Sequence, residues 1–317
     1  YYYKKTTDLL LDINIPDYSG GGRLTQNVGS LENKGFEFLL SGVIVDQSKF
    51  NLTTSFNFSI NRNKILDLGD ETEIFTSGGY DANTYAAPPF IMKVGEPLGQ
   101  FRGFAFDGLW QQDEAAEAAE YGLVPGDSKY IDVDNNKSYG GEDMMQIGSA
   151  QPDFIWGWNT SMQYGNFDLS IYINGVQGND VWNQTRWLTI GMGTDVESPT
   201  SVDILNRWTP ENTNTQVAGF SETNTTYAQS SLFVEDGSFI RLNNLTLGYT
   251  FPASILRNKL SMARLYLSAQ NLFVITQYSG IDPELTSTPN WSDVAQGIDN
   301  GTYPATRTIT FGVKVGF

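Results

Sequence analysis

In segment after segment of this chain every second residue is apolar, and that period restricts the fold more than any other feature. In Leu52-Thr53-Thr54-Ser55-Phe56-Asn57-Phe58-Ser59-Ile60-Asn61, Phe56, Phe58 and Ile60 take one face, and Ser55, Asn57, Ser59 and Asn61 the other. Phe167-Asp168-Leu169-Ser170-Ile171-Tyr172-Ile173-Asn174 obeys the same rule. At the C-terminus Ile309, Phe311, Val313, Val315 and Phe317 alternate with Thr310, Gly312, Lys314 and Gly316. Successive side chains of a strand point to opposite faces, so these segments are strands with one apolar and one polar side. Two architectures accept them. One is an antiparallel sandwich whose polar side meets water; the other is a membrane barrel with lipid outside and a wet lumen inside.

Link lengths separate the two. About ten strands are expected, near 1–15, 27–45, 50–64, 89–95, 99–110, 152–164, 167–183, 238–251, 263–276 and 305–317. Tight links are Asp46-Gln47-Ser48-Lys49, Glu96-Pro97-Leu98 and Gly165-Asn166, with a modest one over 252–262. The links between them are long: 16–26, 65–88, 111–151, 184–237 and 277–304. Short and long therefore alternate, as in an up-and-down outer-membrane barrel with short periplasmic turns and long extracellular loops. A soluble Greek-key sandwich has no reason to sort its loops this way. The last strand then runs toward the periplasm and ends on Phe317, so strand end and chain end are expected to coincide. Tyr1-Tyr2-Tyr3-Lys4-Lys5 reads as the middle of a strand, and an earlier part of the chain is expected to be missing.

Composition removes whole classes of function. The 317 residues contain neither cysteine nor histidine, which excludes disulfides, thiolate metal sites and Ser–His or Cys–His catalysis. A carboxylate-pair hydrolase stays open in principle, since 36 residues are Asp or Glu, but no enzyme motif is recognisable and no enzyme is expected. The formal net charge of −17 argues against a nucleic-acid binder. No run approaches the ~18 apolar residues of a membrane helix, which leaves barrel strands untouched.

Several stretches, in order and spread over nearly the whole chain, resemble the SusC/RagA family of TonB-linked outer-membrane proteins. They are Tyr1-Tyr2-Tyr3-Lys4-Lys5-Thr6-Thr7-Asp8-Leu9-Leu10-Leu11, Gln26-Asn27-Val28-Gly29, Leu31-Glu32-Asn33-Lys34-Gly35-Phe36-Glu37 and Gly95-Glu96-Pro97-Leu98-Gly99. Further on come Gln151-Pro152-Asp153-Phe154, Gly175-Val176-Gln177-Gly178-Asn179-Asp180, Val234-Glu235-Asp236-Gly237-Ser238-Phe239-Ile240-Arg241-Leu242 and Ser268-Ala269-Gln270-Asn271-Leu272-Phe273. The resemblance implies the C-terminal strands of a barrel of about 22, without the N-terminal plug domain and the segment that engages TonB. It also implies a multi-pass protein in outer-membrane lipid, a SusD-like surface lipoprotein as lid, and oligosaccharide or peptide substrates. Two other readings stay open: a SusC-like barrel that only scaffolds an envelope assembly, and a soluble all-β glycan-binding module.

The loops carry the remaining candidates. Asp132-Val133-Asp134-Asn135-Asn136-Lys137-Ser138 puts oxygen side chains of Asp132, Asp134, Asn136 and Ser138 at the first, third, fifth and seventh positions, with Asp143 at the twelfth. That spacing resembles an EF-hand loop for Ca²⁺, although Lys137 stands where the motif has glycine and Asp143 where it has glutamate. The alternative is a polar Asx-rich turn. Asp113-Glu114-Ala115-Ala116-Glu117-Ala118-Ala119-Glu120 should be helical, as should a turn over 202–208 ahead of Pro210. Trp182, Trp187 and Trp208 are candidates for stacking on substrate or lid, against a structural role in an aromatic girdle or in loop packing. Ser55, Asn57, Asp168, Ser170, Tyr172, Asn174 and Lys314 should face the lumen, mostly toward a plug.

Overall fold

The computed structural model describes residues 1–14, 23–76, 87–190, 200–221, 226–256, 260–285 and 296–317. Eight antiparallel strands form one sheet: β1 (Tyr2–Thr7), β2 (Ser30–Asp46), β3 (Phe50–Asp67), β4 (Phe154–Tyr164), β5 (Phe167–Gln177), β6 (Phe239–Thr250), β7 (Met262–Thr276) and β8 (Thr308–Gly316). Their order in the sheet is their order in the chain, so the wall is an up-and-down meander. Short links (47–49, 165–166 and 251–261) gather at one end; 8–29, 68–153, 178–238 and 277–307 gather at the other. Short and long links thus alternate along the wall, but Glu96-Pro97-Leu98 is not one of its turns and lies inside 68–153.

Register carries the two-faced pattern across strands. Phe58 pairs with Trp156, Trp158 with Ile173, Ile171 with Leu245, and Leu267 with Phe311, which builds one continuous apolar face. That face is open to the surroundings: Leu40, Trp158, Phe167, Leu247, Leu267, Phe311 and Val313 are all exposed. A soluble protein rarely leaves so large a contiguous apolar surface bare. Rings cluster at its turn end, where Phe50 meets Tyr164 and Phe167 meets Tyr249 with centroids 6.3 and 4.7 Å apart. Phe58 and Phe154 meet at 5.3 Å nearer the loop end. Ten residues of β4 separate Tyr164 from Phe154, roughly 23 Å at ~3.3 Å per residue and ~45° tilt, close to the height of a lipid band between aromatic girdles.

The opposite face is polar, as the alternation predicts. Arg264 Nε donates to Asp168 Oδ1 at 3.0 Å, reaching across β6. It passes over Gly248, where a Cβ would lie 2.5 Å from both partners, so glycine is what lets the pair form. Tyr2 lies over Gly35 in the same way and donates from its hydroxyl to Asn61. The sheet has two free edges among the described residues. β1 pairs only with Ser30 to Gly35 of β2, and β8 pairs with β7 alone.

The antiparallel partial barrel stands, and the details of its strands differ from expectation. Segments 89–95 and 99–110 hold strands, but Phe90–Lys93 and Gln100–Phe104 pair with each other and with Met144–Ser149 in a separate four-stranded sheet inside the long link 68–153, and Phe106–Leu109 pairs with Ser128–Tyr130. Residues 167–183 break at Gly178 (φ 82°); Asp180–Asn183 belongs to a loop sheet. Residues 1–15 break at Asp8 (φ 57°), and Leu10–Asn14 pairs with Arg23–Asn27 as a hairpin. Period two identifies a strand and its faces, whereas its sheet is chosen by partners far along the chain.

Candidate functional site

Three long links fold together into one crown over the loop end of the wall. Their shared core holds Phe90 and Phe101 from 68–153, Trp182, Ile190, Leu232 and Phe233 from 178–238, and Ile298 from 277–307. Backbone bonds stitch the links: Trp182 N–H donates to Gly297 O, Phe104 N–H to Gln229 O, and Gly219 N–H to Gly126 O, at 2.8 to 2.9 Å. Asp180–Asn183 sits between Val234–Asp236 and Ile298–Asp299 in a three-stranded sheet. The crown is therefore a packed body.

In that packing the tryptophans take the structural role that stood as the alternative to stacking on substrate or lid. Trp182 is fully buried, edge-on to Phe101 at 5.5 Å, and its Nε1 donates to Ala228 O at 3.1 Å. Trp208 is buried over Gly126 and donates to Gln111 Oε1 at 3.2 Å. Trp187 is half-buried, packed against the crown core, and donates to Thr226 O at 2.9 Å. Trp182 and Trp208 pack one link against another and have no ring face to offer a ligand, while the Trp187 bond stays within its own link. The expected helices are present as Gln112–Glu114 with Ala115–Glu120, and as Val202–Asn206.

The acidic loop assembles three of its five residues. One carboxylate oxygen each from Asp132, Asp134 and Asp143 lies within 4.8 Å of the others, a spread compatible with oxygens ~2.3–2.6 Å from one Ca²⁺. Lys137 adopts φ 65°, the left-handed conformation for which an EF-hand uses glycine, so the loop turns as the motif does despite the lysine. Asp143 is buried and accepts the Val133 and Gly140 N–H groups at 2.8 Å. Burial pushes the Asp132 carboxyl up, but the Lys137 N–H, the Tyr121 hydroxyl and the Asn136 N–H outweigh it and hold it below the usual range. Burial and Asp132 in turn push Tyr121 up to about 12. Asn136 Nδ2 donates to Asp134 Oδ2 at 2.8 Å, while Ser138 is exposed. The donor set of hard oxygens suits Ca²⁺, and carboxylates already holding N–H groups keep lone pairs for a cation.

Two further features were not visible in the sequence. Arg241 of β6 sits beside Asn174 on the polar face, buried, with Nη2 2.5 Å from Asp282 Oδ1 and Nε 3.2 Å from Glu284 Oε2. Asp282 also accepts the N–H groups of Glu284 and Ala305 at 3.0 Å, so one ion pair ties the last link to the wall. Next to it opens a polar cleft of about 900 Å³ between Gln184–Ile190, residues 201–217, Glu235 and residues 279–281. Arg186 lies 3.5 Å from Glu235 in its wall.

A meander with a bare apolar face, a polar face and a packed crown on its long-loop end defines the wall of a transmembrane-type β-barrel. The resemblance to SusC/RagA TonB-dependent receptors runs through the whole chain in both sequence and fold. TonB-dependent receptor P3 of Formosa agariphila is 35% identical over 326 residues, covering 100% of this chain and 32% of that protein. TonB-dependent receptor SusC of Bacteroides thetaiotaomicron is 28% identical, over 100% of this chain and 29% of that protein. A solved structure of the RagAB peptide transporter matches with a TM-score of 0.79 and 25% identity, over 99% of this chain and 32% of the matched one. No protein-family model matches. The chain spans about a third of the length of the relatives it matches, and these are receptors and transporters rather than enzymes.

Proposed function

We propose that this chain is part of the barrel of an outer-membrane, TonB-dependent importer of SusC type. Its support is the continuous apolar face of the sheet, read together with whole-chain similarity to TonB-dependent receptors. In this reading the polar face lines a lumen filled by a plug, the crown receives a SusD-like lipoprotein lid, and oligosaccharides or peptides are taken up when TonB acts on the plug. A soluble glycan-binding module would have no use for a lipid-height apolar band. The full-length receptor is expected to stay with outer membranes through an alkaline carbonate wash, and cells lacking it to lose uptake of one solute class. Release by the wash, with uptake intact, would overturn the proposal; retention with uptake unaffected would favour a scaffold.

The acidic loop is proposed as a Ca²⁺ site that stiffens the crown. Roughly millimolar Ca²⁺ should slow hydrogen exchange at 130–143 in the full receptor, with Asp143→Asn abolishing the effect. Exchange indifferent to Ca²⁺ would leave a polar turn.

A further inference from the structure

The alternation of β2 and β3 carries on past the apolar band, and beyond it the outward face turns basic. Register fixes which side chains share that face. Phe38 pairs with Phe58 and Phe36 with Ile60; in the same parity Lys34 pairs with Arg62 and Glu32 with Lys64. On the other side Tyr3 pairs with Lys34 and Lys5 with Glu32. The lumen face of these strands is marked by Tyr2, which lies over Gly35 and donates to Asn61. Lys5, Lys34, Arg62 and Lys64 therefore project on the apolar side, and all four are exposed.

Their height is that of lipid headgroups. Arg62 and Lys64 stand two and four residues beyond Ile60 along β3, roughly 5 and 9 Å further out at ~3.3 Å per residue and ~45° tilt. Headgroups occupy about 5–8 Å beyond the hydrocarbon core on each side. This is the long-link end, which in such barrels faces the cell exterior.

The charge of the patch is unbalanced. Lys34 bonds Glu32 at 2.9 Å and Arg62 bonds Asp153 at 2.7 Å. Lys5 and Lys64 flank Glu32 from the two neighbouring strands, yet among the described residues neither forms an ion pair. Two cations are thus left over, two strand spacings or about 10 Å apart, in a chain of formal charge −17. Directly below them Phe36 and Phe38 are exposed. A soluble anion would meet the charges and leave those rings bare; a phosphate-bearing lipid satisfies both.

We propose that this patch holds the phosphate groups of an outer-leaflet lipid, with Lys5 and Lys64 as the main contacts and the acyl chains lying on Phe36 and Phe38. The inference rests on the membrane-barrel reading of this face and adds a bound lipid class to it. The test uses the intact receptor in detergent micelles, offered diphosphoryl lipid A and, in parallel, the same lipid with its phosphates removed. Native mass spectrometry counts the lipid retained. The phosphorylated form should be retained at least tenfold better. Lys5→Gln combined with Lys64→Gln should cut its retention about thirtyfold, at roughly one lysine's worth of surface attraction each, with an unchanged melting temperature. Lys49→Gln removes an exposed lysine at the opposite, short-turn end and should change nothing.

Equal retention of the two lipid forms would overturn the proposal, as would an equal loss in Lys49→Gln. Retention of neither form would overturn it too. So would displacement of the lipid by roughly millimolar inorganic phosphate, which would mark a site for the free anion. The barrel and importer readings are judged separately, by the carbonate wash and by solute uptake, so either can fail alone.

Discussion

Replacing Arg241 with alanine is expected to free the last outer link from the barrel wall. Its guanidinium is the buried counter-charge of Asp282, with both side chains about 5% exposed or less. Removing one partner of such a pair strands the other charge, at about 3–5 kcal/mol. Asp282 also holds the N–H groups of Glu284 and Ala305, so the loss should spread to both sides of the loop. Hydrogen exchange in the intact receptor should quicken on the order of a hundredfold at 278–285 and 300–305, while β4 and β5 stay protected. Arg241→Lys keeps the charge without the fork and should fall between. Unchanged exchange in the alanine variant would mean that the crown packing alone holds this link.

Trp182→Ala should have an effect of similar size and wider reach. The ring is fully buried at the meeting point of three links, and emptying such a site costs about 3–5 kcal/mol. Exchange should accelerate together around Phe90 and Phe101, around Leu232 and Phe233, and around Ile298, because these residues share one core. Trp182→Phe keeps an aromatic body and loses the bond to Ala228 O, an expected cost of about 1 kcal/mol. A tryptophan that touched substrate would behave differently: binding would fall while crown protection stayed put. That outcome would contradict the packing role.

The wall was legible because its information is local. Alternation in 50–64, 152–164, 238–251 and 263–276 marked strands that the structure places at Phe50–Asp67, Phe154–Tyr164, Phe239–Thr250 and Met262–Thr276. The same signal misplaced 99–110, since Gln100–Phe104 is buried at every position and pairs within the crown. The nearness of Asp132, Asp134 and Asp143 was also legible, since they belong to one short segment. What the sequence hid is whatever needs distant partners. A tryptophan in a polar loop looks alike whether it fills a core or meets a sugar, and only the parallel pairing of Trp182 with Ile298 decides. The cleft joins residues from 183 to 281, and Arg241 finds Asp282 across 41 residues, so neither leaves a local pattern.

The central claim is that the apolar face of the sheet meets lipid and the polar face does not. β5 tests it best, with neighbours on both sides and no free edge. This chain contains no cysteine, so single cysteines can be placed at Leu169, Ile171 and Ile173 and at Ser170, Tyr172 and Asn174. In the full receptor reconstituted in bilayers, each would carry an environment-sensitive fluorophore challenged with a quencher on the lipid acyl chains. Quenching at 169, 171 and 173 with none at 170, 172 and 174 is the predicted result. Equal protection from the lipid quencher at all six positions would contradict the barrel account.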